Sequence, residues 1–226
     1  MVAGRRGCLW GLAIAVVAFI VLLTVLDFVA RGVAEHELAT RAQDASGAQS
    51  ASATVSGFPF LWDVLVEGSV HGVQLHLSGV PAGRLNVEAL EVALTGTHIA
   101  RSALFDRHTI HVTSIDSGSA AVTVTAGELS AAVGRSVSLP GDGRILVDLD
   151  GATDPAQVTV SSDELVITVQ GVHVLQADLA SNHLVPQCGL GLDVGVGQLT
   201  VTCQMSPVPK NVVQVLAGAR TVQPTS

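Results

Sequence analysis

Val73-Gln74-Leu75-His76-Leu77, followed by Leu90-Glu91-Val92-Ala93-Leu94, decides the fold class. In both stretches aliphatic side chains alternate with polar or small ones. Successive side chains of a strand point to opposite faces, so a period of two describes strands with one buried face. The same grammar runs from Ala51 to about Cys203. It continues through Ile110 and Val112, Val122 and Val124, Leu146 and Leu149 with Asp148, Val158-Thr159-Val160, Leu165 to Val169, Val172 and Val174, and Leu199 to Thr202. Turn clusters such as Ser117-Gly118-Ser119 and Gly141-Asp142-Gly143 separate these pieces into roughly ten short strands. Short connections predict mostly antiparallel pairing.

Three helical signals flank or interrupt the strands. Phe28 to Ala45 is rich in Ala, Glu, Arg and Leu and has no proline; Val29, Val33, Leu38 and Ala42 form a modest apolar stripe, and Ser46-Gly47 ends it. Ala126 to Gly134 is a short helix inside the strand series. Asn211 to Ala219, after Pro207-Val208-Pro209, is another. The expected class is therefore α+β, with a long antiparallel sheet and helices packed on one of its faces.

Further upstream, Cys8 to Leu26 carries no charge. Nineteen helical residues rise about 28 Å, close to the thickness of a bilayer core. Arg5 and Arg6 precede the segment and Asp27 follows it, so the positive-inside rule leaves the N-terminus cytoplasmic and sends the rest across. A cleaved signal peptide and a retained anchor both have these features. The length exceeds an ordinary signal core, and the nearest small-x-small site, Gly32-Val33-Ala34, is late; both observations favour the anchor. The expected organisation is a cytoplasmic stub (1–7), a transmembrane helix (8–26), an extracytoplasmic domain (27–206) and a C-terminal helix and tail (207–226), in the plasma membrane.

The chain has 226 residues and a net charge of −8; from Asp27 onward 9 basic residues face 19 acidic ones. Such a domain has no field to hold a phosphate backbone, which excludes nucleic acid as a partner. Cys188 and Cys203, an even pair in an exported segment, read as a disulfide, with two buried free thiols as the alternative. The loop that this bridge would close, about 15 residues, corresponds to about 3 kcal/mol on the chain-entropy model.

Catalytic and metal motifs are missing. There is no GxSxG elbow, Walker loop or HExxH. His108 and His111 are three apart in a strand region and would point to opposite faces. Asp148, Asp150 and Asp154 around Gly151 lack the spacing and late glutamate of a calcium loop, so a polar turn is the expectation there. No catalytic residue, metal or cofactor is expected. An exported hydrolase would need an Asp, a His and a Ser converging in one cleft.

The distinctive stretch is Gly57-Phe58-Pro59-Phe60-Leu61-Trp62. Three of the five aromatic residues that follow the apolar segment lie within it. It reads either as one corner plugging the core or as the wall of an apolar cavity, the kind of site that takes a lipid chain.

An apolar N-terminal segment, a helix, and a strand ending in GFPFL are followed here by Gly68-Ser69-Val70-His71-Gly72-Val73 and the turn Ala82-Gly83-Arg84-Leu85-Asn86-Val87. With the Gly127-Glu128-Leu129 helix and the Pro140-Gly141-Asp142-Gly143-Arg144 turn, this chain resembles the LmeA-like phospholipid-binding family of actinobacterial cell envelopes over about residues 28–204. It departs from that pattern at Val185-Pro186-Gln187-Cys188-Gly189-Leu190. The resemblance implies a tubular lipid-binding fold, in which a curved antiparallel sheet wraps a helix and leaves an apolar groove. It also implies a phospholipid or phosphoinositide ligand and a role in cell-envelope lipid or lipoglycan assembly. Acyl chains would then meet Phe58, Phe60, Leu61, Trp62 and Val33, and a headgroup would meet Arg84, Arg101 or Arg107. The alternative is a non-catalytic adaptor domain with a solidly filled interior and no lipid ligand. Protein partners are not legible.

Overall fold

The computed structural model describes residues 4–100, 112–149, 151–160, 164–178, 189–208 and 213. The expected Asn211–Ala219 helix, the His108 and His111 pair, Arg101, Arg107 and Cys188 lie outside them, Val213 of that helix excepted.

A single helix, α1 (Gly4–Ser46), joins the apolar segment to the helix expected after it. Nothing between them breaks the pattern: the join, Leu26-Asp27-Phe28, has neither Pro nor Gly. From Ile14 onward α1 contains an 18-residue window of mean hydropathy 2.4, of which 6% is buried against the rest of the chain. It is long and apolar enough to cross a membrane, a property that anchors and signal sequences share.

The chain then forms β1 (Ser50–Ser56), a short helix α2 (Phe60–Trp62) running into a π turn (Asp63–Glu67), and β2 (Ser69–Ala82), β3 (Leu85–Ile99) and β4 (Val112–Thr125). Next come α3 (Ala126–Val133), β5 (Val137–Ser138), β6 (Ile145–Leu149), β7 (Ala152–Val160), β8 (Glu164–Val169), β9 (Val172–Asp178), β10 (Gly189–Val194) and β11 (Gln198–Met205). Among the described residues the strand pairings are antiparallel, as expected where short turns join neighbouring strands.

Two sheets replace the one expected. The first has the order β1-β2-β3-β4-β11-β10 and the second β5-β6-β7-β8-β9. After β4 the chain leaves the first sheet, builds the second as a meander, and returns so that β11 pairs with β4. The switch is made by α3. Thr125, the last residue of β4, caps it: the Thr125 hydroxyl accepts from Glu128 N–H while Glu128 accepts from Thr125 N–H at 3.0 Å. This reciprocal box satisfies two backbone donors and turns strand directly into helix. Gly134, at φ 72°, closes the other end. Leu129 on α3 is fully buried, and α3 contacts strands of both sheets.

The interior is aliphatic and continuous. Leu75, Leu77, Leu90 and Val92 of the first sheet belong to the same buried cluster as Val147, Leu165, Ile167 and Val169 of the second. Asp148 Oδ1 accepts Gly151 N–H at 2.8 Å, as expected of a polar turn. In the turn before β6, Arg144 pairs with Asp142 through its Nε at 2.6 Å. That side-chain hydrogen bond holds the Asp142 carboxyl below its ordinary pKa and raises that of Arg144; both lie on the surface.

Candidate functional site

From Asp27 to Ser46, α1 leaves its exposed apolar part and lies along β1 and β2. The face it turns inward is made of Asp27, Ala30, Ala34, Leu38, Ala42 and Ser46, which repeat close to the helical period. This corrects the expected stripe. Val29 and Val33 point outward, Val33 with 64% of its surface exposed, while Leu38 and Ala42 do face in. Three of these six residues are alanines and only Leu38 is large, which lets the helix axis approach the sheet closely.

Polar contacts hold the helix in place. Val55 N–H, on edge strand β1, donates to Glu35 Oε1 at 2.8 Å, and Arg31 steadies that carboxylate at 3.1 Å. An edge strand leaves backbone donors unpaired, and here the helix supplies an acceptor. At the far end the Gln43 amide donates to Gln49 O at 3.1 Å. At the near end Leu61 N–H donates to Asp27 Oδ1 at 2.7 Å. Asp27 is buried, although it directly follows the apolar run.

Between this helix and the first sheet lies a cavity of about 70 Å³. Ala34, Glu37, Leu38 and Arg41 line it from α1, with Phe60, Val55 of β1, Val70 and Val73 of β2, Leu94, Thr97 and Ile99 of β3, and Val112 of β4. Glu37 and Arg41 pair with each other, Arg41 Nε to Glu37 Oε1 at 2.9 Å. A second apolar space, about 20 Å³, lies further along the same face between the two sheets, among Leu85, Val122, Val124, Leu165 and Val201. For scale, an apolar cavity of about 150 Å³ admits one benzene. Neither space is large enough for an acyl chain as it stands.

Of the five residues expected to meet acyl chains, the structure brings one to the cavity. Phe60 lines it. Leu61 is half-buried and contributes its backbone N–H to Asp27. Phe58 and Trp62, 67% and 57% exposed, point away, and so does Val33. The corner itself is tightly made. A Cβ on Gly57, at φ 135°, would sit 2.6 Å from Asp63 Oδ2, so only glycine fits. Asp63 is buried, 3.1 Å from His71 Nδ1.

Arg84 lies in the β2–β3 turn. Gly47, just past the end of α1, lies beside Pro81 of β2, so that turn is at the opposite end of α1 from Asp27, about 28 Å along the helix. Arg84 therefore does not join the cavity; among the described residues, Arg41 is the arginine that lines it. Cys203 is buried in β11 and disulfide-bonded.

Sequence reading missed Thr97. Extended from Leu90, Val92 and Leu94, strict alternation puts Thr97 outside. Instead the inward set changes from even numbers to Thr97, because Gly96 adopts φ 68° and creases the strand. The crease crosses its neighbours: on β2 the inward residues are Val70 before it and Val73 after, and on β4 they are Ile115 and Ala120. Thr97 is 6% exposed, lines the cavity, and its hydroxyl has no hydrogen-bond partner. A buried unpaired hydroxyl costs about 1–3 kcal/mol. Thr97→Val, which keeps the shape, is therefore expected to raise the lipid-free protein's stability by about 1 kcal/mol, or about 2–4 °C in melting temperature. Thermal unfolding in lipid-free detergent measures it.

Among curated proteins and among solved structures, no match is found. A family model described as LmeA-like phospholipid-binding matches residues 25–223, from the end of the apolar run to near the C-terminus, and the chain belongs to that family.

Proposed function

We propose that this protein is a single-pass, membrane-anchored phospholipid-binding domain on the extracytoplasmic side, holding acyl chains between α1 and the first sheet. The observation that carries the reading is the cavity under the alanine face of α1, apolar except for one unpaired hydroxyl and one ion pair, on the same helix that continues as the apolar span. Separation of α1 from the sheet would enlarge the cavity into the tubular groove. An alanine face loses few contacts when it lifts, so this side of the interior is the cheaper one to open. The Thr97 hydroxyl then has a partner in an ester carbonyl or hydroxyl of the ligand, which accounts for a polar group in that position. Cell-envelope lipid or lipoglycan assembly is the role we assign. Cys188 is the partner we assign to Cys203, and a disulfide supports an oxidising, extracytoplasmic location.

The test is photolabelling of the full-length protein in vesicles containing a phosphatidylcholine with a diazirine near the end of one acyl chain. Peptides carrying Leu38 or Leu94 should be labelled along with the membrane segment. Label confined to residues 8–26 would sink the lipid-binding reading and favour an adaptor domain instead.

A further inference from the structure

We propose that the corner carrying Phe58, Trp62 and Leu65 is a membrane-docking wedge, seated in the extracytoplasmic interface of the bilayer that α1 crosses. The inference rests on the anchored reading of α1 and deepens it, since it says where the lipid enters.

Two sides of one corner do different things. Phe60 points inward and lines the cavity. Phe58, Trp62 and Leu65, within eight residues, are 67%, 57% and 42% exposed. Beyond α1 and this corner, the exposed large apolar residues among the described ones are Val172 on β9, Leu192 on β10 and Val196 in the β10–β11 turn. Clustered exposed apolar side chains on an otherwise well-packed domain mark a surface that is covered in use.

What covers this one follows from where it is held. Leu61 N–H donates to Asp27 Oδ1, and Asp27 is the first residue after the apolar run Cys8–Leu26. The bond ties the corner to the point where the helix leaves the hydrocarbon. At that depth the surroundings are the interfacial zone, where Trp is enriched because its ring is apolar and its N–H is polar. The corner sequence is also free of cations: no Lys or Arg occurs between Arg41 and Arg84. Attachment is therefore through apolar burial and does not require anionic lipid. With the wedge seated, the wall at Phe60 is the thin partition between bilayer and cavity, so a chain passes from one to the other without crossing water.

The experiment uses the full-length chain with Trp10→Phe, which leaves Trp62 as the single tryptophan, in vesicles of phosphatidylcholine brominated at shallow or deep acyl positions. Trp62 should lose most of its emission to shallow bromines and less to deep ones, equally with and without anionic lipid. Unquenched, water-exposed emission overturns the wedge. So does blue-shifted emission that bromines leave unchanged, because a second copy or another protein then covers the corner. A Phe58→Ser, Trp62→Ser, Leu65→Ser chain, checked for native circular dichroism, should lose photolabelling at Leu94 when lipid is offered in vesicles but retain it when lipid is offered in detergent micelles. Loss in both would place these side chains in the binding site itself and overturn a docking role. Quenching of Trp62 without any label at Leu94 would leave docking standing and remove lipid binding in the cavity; label without quenching would do the reverse.

Discussion

Ala34→Leu is expected to reduce acyl-chain labelling of the cavity about tenfold while raising the melting temperature. Ala34 is on the inward face of α1 and lines the 70 Å³ space, so the added carbons of leucine enter the cavity. Each buried methylene contributes about 0.8 kcal/mol, reduced where the fit is imperfect, so a net gain of about 1–2 kcal/mol for the closed form follows. A lipid has to displace that side chain to enter, and each 1.4 kcal/mol is about tenfold in affinity. The same gain moves the melting temperature up by about 2–4 °C per kcal/mol in a chain of this size. Val33→Leu is the matched control. Its neighbouring side chain is already exposed, and labelling and melting should not change. Photolabelling yield at Leu94 and thermal unfolding in detergent read the two effects. An Ala34→Leu protein that melts higher yet labels as well as the parent would show that lipid enters elsewhere, and the space between the two sheets is the next place to look.

The sign combination is informative because two residues of the cavity depart from what stability alone favours. Thr97 keeps an unpaired hydroxyl and Ala34 leaves a void, and both lower the stability of the empty protein. Two such departures facing one space are what a site kept for a ligand would show.

How much of this was legible in the sequence depended on the range of the cause. Strand pairs such as Val73–Leu77 against Leu90–Leu94 were legible because alternation and a short turn are local, and β2 and β3 pair as that reading implies. The division into two sheets was not, because β11 finds β4 across more than seventy residues and nothing local announces that pairing. The inward face of α1 was misread for a different reason. Hydrophobicity pointed to Val29 and Val33, whereas close approach selected Ala30 and Ala34. The GFPFLW corner reads in the sequence as one unit, either a plug in the core or the wall of a cavity. The structure divides it, Phe60 to the cavity and Phe58 and Trp62 to the surface, and that division depends on the local turn into α2, which hydrophobicity does not report. Thr97 was hidden by a single glycine, and that glycine can be tested.

Gly96→Ala is expected to destabilise the protein by about 2 kcal/mol and to abolish labelling at the cavity. Two costs add. A side chain at φ 68° is in the left-handed region, which costs a non-glycine residue about 1–2 kcal/mol. A Cβ there would also run into the Asp116 carboxylate, which faces it from β4. Asp116 is half in solvent and can swing away, losing its 3.2 Å contact with His98 Nε2, so this second cost is small, up to about 1 kcal/mol as for other exposed pairs. Gly83 separates the two. It has φ 63°, but nothing lies within 4 Å of where its Cβ would stand. Gly83→Ala should therefore show the backbone cost alone and leave lipid labelling intact. Gly96→Ala with Asp116→Ala should recover the difference between the two single substitutions. If both glycines cost the same in chemical denaturation, and labelling survives Gly96→Ala, then the crease is not what turns Thr97 inward. If labelling is lost at Gly96 alone, the strain at residue 96 disturbs the strand where Thr97 and Leu94 line the cavity, and the crease is needed to shape it.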